Sequence, residues 1–135
     1  MHDVALLDSL GTKLQTAGVG TLGTSIFLTQ MQDTPDVAVC LYESQGFEPL
    51  QTFGTSVTYG DRPRVRAICR GGRNDYPAAR QKAEAVRAAL GAIRNESISG
   101  VTITCVVDAT GIYPMGRDGD ERPAVAIDFT VWVQP

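Results

Sequence analysis

Apolar residues near the start of the chain recur at helical spacing. In "DVALLDSLGTKLQTAG", Val4, Leu7, Leu10, Leu14 and Ala17 share one stripe, which predicts an amphipathic helix of about four turns. Asp3 is placed to cap its start, and Gly18 suits the left-handed position just past its end. The period then changes to two. "TSIFLTQM" predicts a strand, "DTPD" a turn, and "VAVCLYES" a central strand that is apolar on both faces. In "RVRAICR", Val65, Ala67 and Cys69 face one side, while Arg64, Arg66 and Arg70 face the other beside Ile68. After the turn "GGRND", a second helix is predicted over "DYPAARQKAEAVRAALG". Asn74 or Asp75 caps it, Pro77 sits in its first turn, and Gly91 lies near its end. Ala79, Ala83, Val86 and Leu90 form its buried stripe. "GVTITCVVD" and "AVAIDFTVWVQ" are the last two strands. In the second of these, Val125, Ile127, Phe129, Val131 and Val133 point inward, with Asp128, Thr130 and Trp132 opposite.

Two stretches carry turn formers without a sustained period: residues 45–63, "QGFEPLQTFGTSVTYGDRP", and residues 109–123, "ATGIYPMGRDGDERP". Both read as long loops, of the kind that bind partners. The predicted order is α-β-β-β-α-β-β. Segregated strands with only two helices point to a single α+β domain over residues 1–135, with a largely antiparallel (mixed) sheet.

That order disposes of one motif. Gly18, Gly20 and Gly23 in "GVGTLG" fit the dinucleotide-binding fingerprint. The fingerprint works only where a strand enters the glycine turn and a helix leaves it, aiming helix amides at the phosphates. Here a helix enters and a strand leaves, so the glycines read as a helix stop followed by a turn.

Charge changes the picture more than composition does. The 135 residues are 43% hydrophobic and 20% charged, ordinary for a globular domain. No apolar run approaches the roughly 20 residues of a membrane span, and the expectation is no membrane partner and no secretory leader. Cys40, Cys69 and Cys105 are an odd trio with apolar neighbours and read as reduced, buried strand residues. Net charge is −3, yet nine of the twelve basic residues and only two of the fifteen acids fall between Arg62 and Arg94. Such segregation predicts one positive and one negative surface region.

Candidate chemistry is sparse. The only histidine, His2, sits at the chain end with no partner for a nucleophile or a metal. Asp118, Asp120 and Glu121 in "GRDGDER" lack the spacing of a calcium loop, and Arg117 and Arg122 flank them. No metal, cofactor or catalytic constellation is expected, and nothing reads as an enzyme. Arg64, Arg66, Arg70 and Arg73 could form a small nucleic-acid-binding surface, but no aromatics interleave with them as stacking platforms.

Three segments, in order, carry a family resemblance. "FLTQMQDTPDVAVCLYESQGFEP" resembles the strand, Pro-Asp turn, strand and Gly-containing loop of bacteriophage minor capsid or tail terminator proteins. "RPRVRAICRGGRNDYPAARQKAEAVRAALG" resembles their Arg-bearing strand and Ala-rich helix, and "IYPMGRDGDERPAVAIDFTVWV" their Gly-Arg-Asp loop and closing strand. The resemblance implies two helices packed on one side of the sheet, and a structural protein of the virion assembled in the host cytoplasm. It further implies a homo-oligomeric ring, typically a hexamer, on the end of the tail-tube protein. Such a ring stops tube growth and offers a surface to the head connector or completion protein; DNA crosses its lumen only as cargo. Other neck positions, head completion or connector adaptor, stay open at this point. Read this way, Arg64, Arg66 and Arg70 are candidate contacts to acids of a neighbouring copy or of the tube, with Asp118, Asp120 and Glu121 as possible self partners, and Arg73 and Arg117 are further candidate interface residues.

Overall fold

A computed structural model describes the backbone of residues 3–51 and 59–133, and side chains over 6–43 and 62–133. The expectations for His2, the Asp3 cap, Val4 and the centre of the 45–63 stretch lie outside the described residues or side chains. Eight elements run α1 (Asp3–Thr16), β1 (Ile26–Leu28), β2 (Ala38–Gln51), β3 (Tyr59–Arg70), α2 (Tyr76–Gly91), β4 (Arg94–Ile98), β5 (Val101–Arg117) and β6 (Pro123–Val133). The strands form one mixed sheet in the order β1-β2-β3-β6-β5-β4. Among the pairs of described strands, β1–β2 is parallel and the other four are antiparallel.

Both helices pack on one face of this sheet. Leu6, Leu7, Leu10 and Leu14 of α1 and Ala79, Ala83, Val86 and Leu90 of α2 are buried against Val39, Leu41, Val65, Ala67, Cys69, Val125, Ile127, Phe129 and Val131. The alternation along β3 and β6 and the stripe of α2 are therefore realised as predicted. Ala17 is not in the stripe: α1 stops at Thr16, and Ala17 is exposed.

The glycine turn is a helix stop. Val19 N–H donates to Leu14 O (3.0 Å), Gly18 N–H donates to Gln15 O (3.1 Å), and Gly18 has φ +84°. Buried Val19 and Leu14 belong to the same core, completing a Schellman motif. α2 starts as expected: the Asp75 carboxylate accepts from Ala78 N–H, and Pro77 lies in the first turn. Cys40 and Cys69 are buried, and burial pushes their thiols to about 11 and about 12, so both stay protonated at neutral pH. Cys105 is only half-buried, short of the expectation.

Three expectations are corrected. The stretch 45–63 is not simply a loop, because β2 runs to Gln51 and β3 starts at Tyr59, pairing as a long hairpin. Most of 109–123 is strand: β5 extends to Arg117 and pairs with β6 as far as Arg117↔Pro123. A sixth strand, β4, pairs with Val101–Cys105 and makes the order α-β-β-β-α-β-β-β. In each long strand the turn formers are absorbed by irregular pairing, between Ser44 and Phe47, between Asp108 and Ile112, and between Pro114 and Gly116.

Candidate assembly interface

The arginines of β3 lie on the sheet face away from the helices, and the structure gives them different tasks. Arg66 reaches across to Asp128 of β6, its register partner. Its Nε donates to Oδ1 at 2.8 Å and its Nη2 to Oδ2 at 3.2 Å. Tyr113 Oη donates to the same Oδ1 at 3.2 Å. Asp128 is buried; burial opposes its ionisation, but the bonds and charge of Arg66, helped by Tyr113, hold its carboxyl below the usual carboxylate range. The same bond pushes Arg66 upward. Arg62, at the other end of β3, lies over the Trp132 ring, 5.4 Å from its centroid. Half-buried Arg64 sits between these two, opposite Ser44 of β2 and Thr130 of β6.

Arg70 ends the strand and is buried. Its Nε donates to Asp36 O (2.8 Å), and its Nη2 to the carbonyls of Gln32 (2.8 Å), Asp33 (3.2 Å) and Pro35 (2.6 Å). Burial first, then the positive charge of Arg122, lowers its affinity for the proton, but a guanidinium stays charged at neutral pH. Arg122, 7% exposed, binds the same loop by its carboxylates. It donates to Asp33 Oδ1 (2.8 Å), Asp36 Oδ1 (3.1 Å) and Asp118 Oδ2 (2.8 Å), and lies 3.4 Å from Asp120 Oδ2. The Asp33 bond, against the cost of burial, pushes Arg122 upward. Asp118 also accepts from the Arg122 N–H and the Asp120 N–H; the first of these leads in holding its carboxyl below the usual range.

The turn at 71–75 is tied to the same end. Gly71 N–H donates to Pro123 O and Asn74 N–H to Glu121 O, while Arg117 Nη1 donates to Asn74 Oδ1 (2.9 Å) and Glu121 Oε2 (3.1 Å). Loops 29–37, 71–75 and 118–122 thus form one braced end of the sheet. Two buried guanidiniums lie inside it, and carboxylates face out: Asp33 at 80%, Asp36 at 62% and Asp120 at 73% exposed. Arg73 is exposed in the 71–75 turn.

Of the eight residues singled out in sequence, Arg117, Asp118, Asp120 and Glu121 gather at this acidic end, and Arg70 enters it from below. Arg64 and Arg66 lie further along the bare face. Sequence reasoning missed Asp33, Asp36 and Asp128. Asp128 left a signal, since a carboxylate inside "AVAIDFTVWV" must find a cation, and the basic strand is its neighbour. Asp33 and Asp36 left none beyond a turn. Among the described residues, no group of His, Cys, Asp and Glu is arranged to hold a metal ion. No helix among them is long and apolar enough to cross a membrane.

Residues 13–134 match a family described as bacteriophage tail terminator protein. None of the curated proteins matches the chain in sequence. Among solved structures, a chain from the virion of a native gene transfer agent particle superposes with a TM-score of 0.70 at 13% identity. The match covers 96% of this chain and 95% of that one. A second solved chain reaches a TM-score of 0.52 at 18% identity, over 98% and 92% of the two chains. At such identities the two structures speak for the fold.

Proposed function

The chain belongs to the bacteriophage tail terminator family, and from that premise we propose that it caps the tail tube as a ring. It is a structural protein of the virion, not an enzyme, and acts in the phage tail. The family match over residues 13–134 carries this reading. In the reading proposed, copies associate head to tail, with six the expected number, on the last ring of tail-tube protein. The ring halts tube growth and presents a surface to the head connector or completion protein, and DNA crosses the lumen as cargo.

The geometry supports such a role in two ways. A ring contact joins two different patches of the same subunit, and the chain carries an acidic end and a separate arginine-bearing face. The acidic end is braced by Arg70 and Arg122, so its carboxylates are held in place before any partner arrives. The arginine face is less suited to nucleic acid than the sequence suggested, because Arg66 and Arg70 are committed within the chain. Deletion of the gene tests the reading. Tubes of excess length without heads are expected. Tails of normal length beside leaking heads would move the protein to head completion.

A further inference from the structure

The sheet leaves two bare edges of opposite kind. β1 covers β2 only over Val39–Leu41, so among the described residues Tyr42–Gln51 carries no strand on its outer side. At the far edge, β4 covers β5 only over Val101–Cys105, so among the described residues Val106–Arg117 carries no strand on its outer side. An edge without a neighbouring strand turns backbone groups outward, toward any strand that fits. Of the three exposed large hydrophobic residues among those described, two lie on the bare part of β5: Val107 at 48% and Met115 at 46%.

The two edges are complementary in direction. Three antiparallel steps separate β2 from β5, so these strands run opposite ways. Two copies set side by side in the same orientation therefore bring β5 of one against β2 of the next as an antiparallel pair. The bare stretches lie toward opposite ends of the sheet. Gln51 pairs near the hairpin end with Tyr59, whereas Arg117 pairs with Pro123 at the acidic end. Neighbouring copies must then be staggered along the strands by roughly 15–20 Å, about five residues at the usual rise. A fixed stagger between tilted strands is also what closing a sheet into a barrel requires.

We propose that copies of this chain join edge to edge, with Ile112–Arg117 of one adding to Tyr42–Gln51 of the next. The proposal rests on the ring reading and specifies its contact. It is heterologous, so it generates a closed ring or an open filament. The bulge between Asp108 and Ile112 and the missing N–H of Pro114 keep the pairing short. Short pairing favours capture on a template over free polymerisation.

Hydrogen exchange on the unaltered protein, free and in purified tails, tests this without any substitution. Amides of 42–51 and 112–117 should gain at least tenfold protection on assembly. Unchanged rates in both segments overturn the proposal. A second test places Met115→Cys in the same chain as Glu43→Cys, and separately with Ser44→Cys, because adjacent strand positions sample both faces. Oxidised virions should give a ladder of linked copies on a non-reducing gel for one of the two pairs, and no ladder for single variants. Rings visible by electron microscopy without exchange protection or a ladder would sink the edge contact and leave the ring reading standing. Linked pairs from Met115→Cys alone would mean a two-fold contact and overturn both.

Discussion

Asp128 shows how one buried carboxylate organises a sheet face. It is held by two bonds from Arg66 and one from Tyr113, and its own N–H donates to Thr110 Oγ1 at 3.1 Å. Removing it takes away the carboxylate that Arg66 and Tyr113 both bind, so Asp128→Ala should cost about 2 kcal/mol in denaturant melts at neutral pH. The pH dependence has a definite sign. The folded carboxyl titrates below its unfolded value, near 4, so its contribution is full above about pH 4 and disappears as pH falls through the folded value. Asp118 adds to the same trend. Melts between pH 5 and pH 2 should show a steep fall for the unaltered chain and a shallower one for Asp128→Asn; equal slopes would refute the assignment. Arg122 is the second test at this scale. Arg122→Ala leaves Asp33, Asp36, Asp118 and Asp120 facing one another and should lower the thermal midpoint by several degrees. Arg122→Lys should restore only part, since an ammonium cannot span that fork of acceptors.

At the scale of elements, α2 was legible in the sequence because its signals are local. Asp75 precedes Pro77, and Ala79, Ala83, Val86 and Leu90 keep one face. Asp75→Ala should cost about 1 kcal/mol, read from equilibrium unfolding, with Asp75→Ser costing much less. The turn before it is equally demanding: a Cβ on Gly71 would lie 2.3 Å from Asp75 O, a backbone atom that can move only with the helix start. Strands β2 and β5 were only half legible. Gly46, Pro49, Gly111, Pro114 and Gly116 announce turns locally, but long-range pairing keeps these stretches in strand and turns the irregularities into bulges. β4 was missed because "RNESI" has no apolar alternation, and Asn95 takes a positive φ of 48°. The candidate site was legible as a segregation of charge and not as contacts. Arg122 meets Asp33 across 89 positions, and no local pattern reports such a pair.

Across the whole molecule, the expectation that Arg64, Arg66 and Arg70 act together has to be divided. Arg66 and Arg70 brace the subunit, so replacing all three with Ser would test folding and assembly at once. The acidic end separates the two. Asp120 is 73% and Glu121 52% exposed, and Arg122 keeps Asp33, Asp36 and Asp118 if both are neutralised. Asp120→Asn with Glu121→Gln should therefore leave the thermal midpoint within about a degree, because exposed ion pairs are each worth about 0–1 kcal/mol. Docking is different, since several carboxylates at one rigid end act on a partner together. If the acidic end is a contact in the assembled tail, the double variant should cap tubes poorly, and overlong tubes should appear in electron micrographs of infected cells. Salt should mimic the change in a reconstituted capping assay, because the screening length falls from about 8 Å at 0.15 M to about 3 Å at 1 M. The variant should also lose most of its sensitivity to salt. A double variant that caps with normal tube lengths, and stays as salt-sensitive as the unaltered chain, would move the electrostatic contact to another surface.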